Sequence, residues 1–391
     1  MFFIIIAPDR GVSAEEYAVP NSGSPYLSLD ELEDNAILHL PTGTRVSLGD
    51  LAEILSGSRV IYIGETHDNL EAHRVQLEII RRLAAKTPGK IAIGMEMFRR
   101  SAQEKLDSWH QGTLSKKDFK KLFRQNWGTG YRVYRSIIEF CRENAIPLIG
   151  LKSSKETEER LRRDGYTPGA PHFPVLDLND PYHRAYSMSI FGGHNEKTEK
   201  PLYPMLVLWE ESMAETVAEF LRDERYADWK LIVLAGGFHV QYGFGVPKRA
   251  FRRVPHHYSI ILPTVTKIPE ELKKDREMDV KHISIPLYAA DFAWKVSYKV
   301  LPENKIKLGV MLTEEFGGLL VTAVGKNSNA EKGGILKDDV ILKLDGMKAD
   351  DIEKLVDRLQ KKKFGDTVTL HIRRGNEKID MELLLHEPAK D

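Results

Sequence analysis

The sequence predicts an α/β domain with a mainly parallel sheet covered by helices, followed by a small C-terminal β domain. Three observations carry this. Apolar runs of strand length alternate with helical patterns from about residue 59 to residue 262. Those runs are rich in Ile, Leu and Val with little polar alternation, as strands covered on both faces are. From about Glu303 the texture changes to short strands and Gly-rich turns. A chain of 391 residues has room for two or three domains. The boundaries read as an N-terminal segment at 1–25, the α/β domain at 26–298 and the small domain at 303–387.

The elements follow in order. Phe2-Phe3-Ile4-Ile5-Ile6-Ala7 is an apolar run without a preceding basic residue, and Val12-Ser13-Ala14 offers the small alternate residues of a signal-peptidase site. This reads as the back half of a secretory signal, which implies export to the periplasm or cell envelope of a bacterium. A short buried strand is the alternative, and it implies a cytoplasmic protein. No cysteine follows the run, so nothing points to a lipid anchor. Strands are expected at Arg59–Ile63, Lys90–Gly94, Ile146–Leu151, Lys230–Ala235 and Tyr258–Leu262. Helices are expected at Leu70–Lys86, Ala102–His110, Ser115–Asn126, Tyr131–Asn144 and Met205–Glu224. Such alternation builds a parallel sheet. Thr157–Pro204, rich in Pro, Gly and polar residues, reads as an insertion with one helix, Pro181–Phe191. Lys267–Lys281 reads as a charged connector, and Ile283–Val300 returns to an apolar pattern. The last domain has one helix, Asp351–Lys362.

Composition excludes several classes. Lys plus Arg number 57 and Asp plus Glu number 57, so there is no basic excess for a general nucleic-acid binder. The single cysteine, Cys141, excludes an intrachain disulfide framework and a Cys-rich zinc site. No segment has the run of about 18 apolar residues that a membrane span needs.

The chemistry gathers where strands end. Arg59–Ile63 runs into Gly64-Glu65-Thr66-His67, Lys90–Ile93 into Gly94-Met95-Glu96, Ile146–Ile149 into Gly150-Leu151-Lys152, and Leu231–Ala235 into Gly236-Gly237-Phe238-His239. In an open parallel sheet the ligand crevice lies beyond the carboxyl ends of the strands. Four strands therefore deliver glycine and an ionisable residue to one edge. Glu65, His67, Glu96, His239 and Lys152 there suit a metal, an anion, a carbonyl or acid–base work. On the helix from Leu70, the period of 3.6 puts Leu70, His73, Leu77, Ile80 and Ala84 on one stripe. His73 thus reads as buried, first as a satisfied core histidine and alternatively as a support of His67 from behind.

The ordered set Gly64-Glu65-Thr66-His67-Asp68-Asn69, His73, Gln76, Gly94-Met95-Glu96-Met97-Phe98, Gln103, Leu106-Asp107-Ser108-Trp109, Trp127 and Tyr131 resembles the ChaN-like haem-binding proteins. Phe140 to Pro147, Met213-Ala214-Glu215, Gly236-Gly237-Phe238-His239-Val240 and Gly245-Val246-Pro247 continue the resemblance, which covers about Val46 to Val296. Glu210 stands where the family usually has Asp, and Lys152 where Asn is common. The resemblance implies haem as the cofactor, a role in haem or iron acquisition, and a pocket that two subunits of a homodimer can complete. It implies Glu65, His67, Glu96, His239, His73, Tyr131 and Lys152 as haem-binding residues, with Tyr131 as the candidate tyrosine toward iron, although its first reading is as a packing residue. The wider superfamily, with Tiki-like proteases and erythromycin esterases, implies an alternative: a metal-dependent esterase or peptidase with a divalent ion on Glu65, His67 and His239.

Lys307-Leu308-Gly309-Val310, Leu320-Val321-Thr322-Ala323-Val324, Asn329 to Ile335, Asp339 to Gly346 and Gly365-Asp366-Thr367-Val368 resemble a PDZ domain of the HtrA-protease type. This implies a β-barrel or sandwich in which the N–H groups of Leu308, Gly309 and Val310 receive the terminal carboxylate of a partner protein. The peptide would add as a strand beside Val310–Thr313. A third reading follows, an adaptor working through this groove with a vestigial α/β site.

Overall fold

The computed structural model describes residues 29–190, 202–276, 285, 287–301 and 306–387. The N-terminal apolar run lies outside them, as does part of the charged connector. Two compact units divide the chain, Met1–Val300 and Leu301–Asp391.

The first unit is α/β, as the sequence predicts. In chain order it holds β1 (Ile37–His39), β2 (Thr44–Val46), α1 (Leu48–Ser56), β3 (Val60–Glu65), α2 (Leu70–Lys86), β4 (Ile91–Arg99), α3 (Gln103–His110), α4 (Lys116–Trp127), α5 (Tyr131–Glu143) and β5 (Leu148–Lys152). Then come α6 (Lys155–Asp164), α7 (Pro181–Ile190), α8 (Leu202–Arg222), β6 (Lys230–Gly236), α9 (Val246–Arg253), β7 (Tyr258–Thr264), α10 (Glu270–Arg276) and β8 (Phe292–Lys295). The strand order is β2-β1-β8-β7-β3-β6-β4-β5. The six strands from β8 to β5 are parallel, and β1 and β2 join antiparallel beyond β8.

Two differences from the sequence reading concern elements. The insertion carries two described helices rather than one, because Ser154 caps α6 by accepting from Thr157 N. The sheet extends through β1, β2 and β8, which are too short at three, three and four residues to announce themselves by periodicity.

Alternation along each strand builds two cores. Ile61, Ile63, Ile93, Met95, Ile232 and Leu234 face one side with Val75, Leu83, Phe119, Phe123 and Ile138. Val60, Tyr62, Ala92, Leu231, Val233 and Ala235 face the other with Met213, Val217, Val246 and Ala250. Covered on both faces, the parallel strands expose only their ends to a ligand.

At the β5 edge a side chain replaces a strand. Gln103 Oε1 accepts from Gly150 N and its Nε2 donates to Leu148 O, both at 3.0 Å.

The second unit is an antiparallel sheet of β9 (Val310–Glu315), β10 (Gly318–Val324), β11 (Val340–Leu344), β12 (Met347–Lys348), β13 (Thr367–Arg374) and β14 (Glu377–Leu384), with α11 (Asn329–Lys332) and α12 (Ile352–Leu359). The order is β14-β13-β11-β10-β9, with β12 paired to β11. Its core gathers Leu308, Leu319, Val321, Ile341, Leu355, Leu359, Leu370 and Ile372. β9 is an edge strand.

Candidate functional site

The strand order brings the predicted residues together. β6 returns between β3 and β4, so the Glu65, Gly236 and Glu96 ends are neighbours, with Glu65 level with Gly236.

Glu65 is buried, and its carboxylate is held by His67 just after β3, by His73 and Gln76 of α2 and by Tyr134 of α5. His67 Nδ1 donates to Oε1 at 2.8 Å and Tyr134 OH to the same oxygen at 2.5 Å. Gln76 Nε2 donates to Oε2 at 2.7 Å, and His73 Nδ1 lies 3.6 Å from it. Burial alone would push Glu65 up; the imidazoles of His73 and His67 and the Tyr134 hydroxyl outweigh it and hold the carboxyl below its ordinary range. His67 is raised in return, because Glu65 outweighs the burial of its ring. His73 is buried and lies behind His67: its Nε2 donates to the His67 carbonyl at 3.0 Å.

The second group lies across Gly236. Glu96 Oε2 accepts from Gly236 N at 2.8 Å, and Oε1 stands 3.5 Å from His239 Nε2. His239 Nδ1 reaches Glu210 Oε1 at 3.1 Å. Burial lowers His239, but the carboxylates of Glu96 and Glu210 prevail and push it up to about 10. Behind it, Glu210 Oε2 is 2.8 Å from His183 Nε2 and 3.4 Å from Arg249 Nε, and all three side chains are buried. Two imidazoles thus bring Glu210 down to about 2 against the cost of its burial. His239 and His67 likewise hold Glu96 well below its ordinary range.

Gly236 is the hinge between the groups. A Cβ there would stand 3.1 Å from both Cε1 and Nε2 of His67, so glycine lets that ring lie closer to the strand end than any other residue would.

The mouth is lined by His67, Trp127, Lys152 and Trp209. The His67 side chain is 45% exposed, and its ring centroid lies 5.0 Å from that of Trp127. Lys152 Nζ lies 5.3 Å from the Trp127 ring and 4.2 Å from the Trp209 ring.

Glu65, His67, His73, Glu96, His239 and Lys152 therefore lie at one edge, and Tyr131 does not. Tyr131 is buried in an aromatic cluster, 5.6 Å from Phe123 and 6.4 Å from Phe119. Tyr134, one turn further on α5, is the tyrosine that reaches the site. The divalent-ion set Glu65, His67 and His239 is not assembled either. Among the described residues no three His, Cys, Asp or Glu side chains converge to hold a metal ion. His67 turns to Glu65 while His239 lies between Glu96 and Glu210, so imidazole nitrogens face carboxylates instead of a shared point.

Sequence reasoning missed Tyr134, Trp209, His183 and Arg249. Tyr134 had a signal: it shares the buried stripe of α5 with Ile137, Ile138 and Cys141, and a buried tyrosine hydroxyl needs an acceptor.

In the second unit, Leu308 and Gly309 form the turn that leads into β9, which begins at Val310. Gly309 has φ 80°, and a Cβ there would meet Ser328 Cβ at 2.3 Å. Ala330 N donates to Leu308 O at 2.7 Å and Gly325 N to Gly309 O at 2.8 Å, which fixes the loop. The N–H groups of Leu308 and Gly309 donate to no backbone or side-chain acceptor among the described residues.

Comparison with known proteins agrees. Residues 51–250 match the family model described as haem-binding uptake, Tiki superfamily, ChaN, and residues 307–385 match that of the PDZ domain. ChaN of Campylobacter jejuni, whose solved structure is described as showing cofacial haem binding, is 18% identical with a TM-score of 0.51. That likeness covers 67% of this chain and 98% of that one, and shows a shared fold. A serine protease Do-like HtrA of Lactobacillus helveticus is 37% identical over 68 residues, 17% of this chain and 16% of that relative's length. The chain belongs to the ChaN-like haem-binding uptake family of the Tiki superfamily, and it carries a C-terminal PDZ domain.

Proposed function

We propose that the α/β unit binds haem at the strand-end site, with His67 toward the iron, in a protein that serves haem or iron acquisition. One observation carries this. Glu65 anchors His67 Nδ1, while Nε2 makes no hydrogen bond among the described residues. An imidazole held by a carboxylate through one nitrogen and open at the other is the arrangement of metal-ligating histidines. The side chain is half-exposed, so a planar ligand can reach it, and Trp127 offers an aromatic edge beside it. When bound, haem supplies an iron that accepts an imidazole nitrogen. The chain's own contribution is to orient His67 through Glu65, Gln76 and Tyr134 and to keep His239 charged beside Glu96. With Tyr131 buried in packing, His67 replaces it as the residue toward iron.

Titration of the purified chain with haemin tests this. A shifted Soret band is expected at micromolar haemin, weakened in His67→Ala and unchanged in Tyr131→Phe. No shift in the parent chain, or full binding by His67→Ala, would refute the reading. Sedimentation with and without haemin checks whether a second copy completes the pocket.

For the PDZ unit we propose binding of a partner protein's C-terminus. The edge of β9 accepts a strand, and the N–H groups of Leu308 and Gly309 await a carboxylate. A peptide ending in a free carboxylate should bind, and its C-terminal amide should not.

A further inference from the structure

Lys152 is a cation with no ion-pair partner within 4 Å among the described residues, although the carboxylates of Glu96 and Glu158 are near enough to act on it. It is half-buried at the end of β5, and its ammonium lies 5.3 Å from the Trp127 ring and 4.2 Å from the Trp209 ring. No hydrogen bond or ion pair within 4 Å joins it to any described residue. Burial lowers its pKa below that of an ordinary lysine, and the charges of Glu96 and Glu158 offset only part of that loss.

The carboxylates nearby are committed elsewhere. Glu158 Oε1 accepts from Arg99 Nη1 at 2.6 Å, Trp209 Nε1 at 2.9 Å and Ser153 Oγ at 3.1 Å, and its Oε2 accepts from Arg99 Nη2 at 3.1 Å. Glu96 is held by Gly236 N and faces His239. These bonds also fix the wall. Glu158 sets the Trp209 indole, and the Arg99 guanidinium is tied to both Glu158 and the Ser153 carbonyl. These bonds hold the wall in place, and the Lys152 ammonium within it makes no hydrogen bond or ion pair to any described residue.

Trp127 joins this cation to the haem-facing residue, since its ring lies beside both His67 and Lys152. We propose that Lys152, clamped by Trp127 and Trp209, pairs with a carboxylate arm of the ligand whose metal centre sits at His67, so that the site selects carboxylate-bearing tetrapyrroles over neutral ones. The inference rests on the haem reading and adds the group that decides selectivity. Lys152 is a specificity residue: it reads the rim of the ligand, while His67 addresses its centre. A charge-assisted hydrogen bond replaces hydration that the lysine has already lost, so the carboxylate gains more here than at an exposed lysine.

The test compares haemin with haemin dimethyl ester, whose two carboxylates are capped, in one detergent buffer, by Soret titration. The parent chain should bind haemin at least about tenfold more tightly than the ester. Lys152→Met should bring the two affinities to within about twofold, with the Soret position of bound haemin unchanged because the iron ligand is untouched. Lys152→Arg should keep the preference, and its folding controls for damage to the wall. A preference that survives Lys152→Met overturns the proposal and leaves the haem reading standing. Equal affinities in the parent chain do the same. No Soret shift with either ligand overturns both.

Discussion

Replacing Gly236 by alanine isolates the contact on which the site depends. Gly236 has φ −51° and ψ 139°, which any residue adopts, so the methyl group adds no backbone strain. The new Cβ would stand 3.1 Å from Cε1 and Nε2 of His67 and 3.6 Å from Glu96 Oε2. Comfortable contact begins near ~3.5 Å, so the ring must withdraw by about 0.4 Å while Glu96 can stay. His67 is half-exposed and yields. Its 2.8 Å bond to Glu65 then stretches to the long end of the hydrogen-bond range. A charge-assisted bond contributes about 1.5–3 kcal/mol, and the exposure of this ring selects the lower end. Complete loss of about 1.5 kcal/mol would correspond to a fall of about one pH unit in the midpoint of His67, so the stretched bond should lower it by a fraction of that. The assay is an NMR titration of the His67 ring in parent and variant. The pair raises His67 above its ordinary 6.5, so its stabilisation is complete below pH 6.5 and is lost as pH climbs through the raised midpoint. The variant should therefore be less stable than the parent on the acid side and converge with it at higher pH. A folded variant whose His67 titrates at the parental midpoint refutes the reasoning.

Three further outcomes are expected. Glu210→Gln removes the carboxylate facing His239, His183 and Arg249 and should lower unfolding free energy by about 3–5 kcal/mol in urea, the cost of a broken buried pair; a loss below about 1 kcal/mol contradicts this. Glu210, lowered to about 2, contributes stability above pH 4.5 that is lost as pH falls toward 2, whereas His239, raised to about 10, contributes stability complete below pH 6.5 that is lost as pH rises through 10. Calorimetric Tm of the first unit should hence peak between pH 4.5 and 6.5, and a maximum above pH 8 rules that balance out. Gly309→Ala forces φ 80° and a 2.3 Å approach to Ser328 Cβ, so it should cost about 1–3 kcal/mol and abolish peptide binding; normal binding by calorimetric titration would show that the loop tolerates a side chain.

What the sequence discloses and what it conceals have physical reasons. The strand ends are legible because runs such as Arg59–Ile63 end in Gly plus an ionisable residue, and parallel strands must deliver those residues to one edge. His73 is legible because helical phase places it on an apolar stripe. Tyr131 and Tyr134 share a buried face, and choosing between them requires the depth of α5 against α2, which phase does not contain. The Glu210, His183 and Arg249 cluster joins α8, α7 and α9 through side chains far apart in sequence. Their burial appears only once those helices have packed on the sheet. The metal reading fails for a related reason. Residue types show which groups arrive at the edge, but the pairing of His67 with Glu65 and of His239 with Glu210 depends on ring orientation.

The amide of Gln103 has a consequence beyond its own bonds. A parallel sheet that ends at β5 would present a ready template to any extended chain in the crowded surroundings of a cell. By occupying both the Gly150 N–H and the Leu148 carbonyl, Gln103 turns that rim into a finished border. β9 likewise ends its sheet, and no described strand pairs with its outer rim. A single glutamine side chain thus does at the β5 rim what a further strand would otherwise have to do.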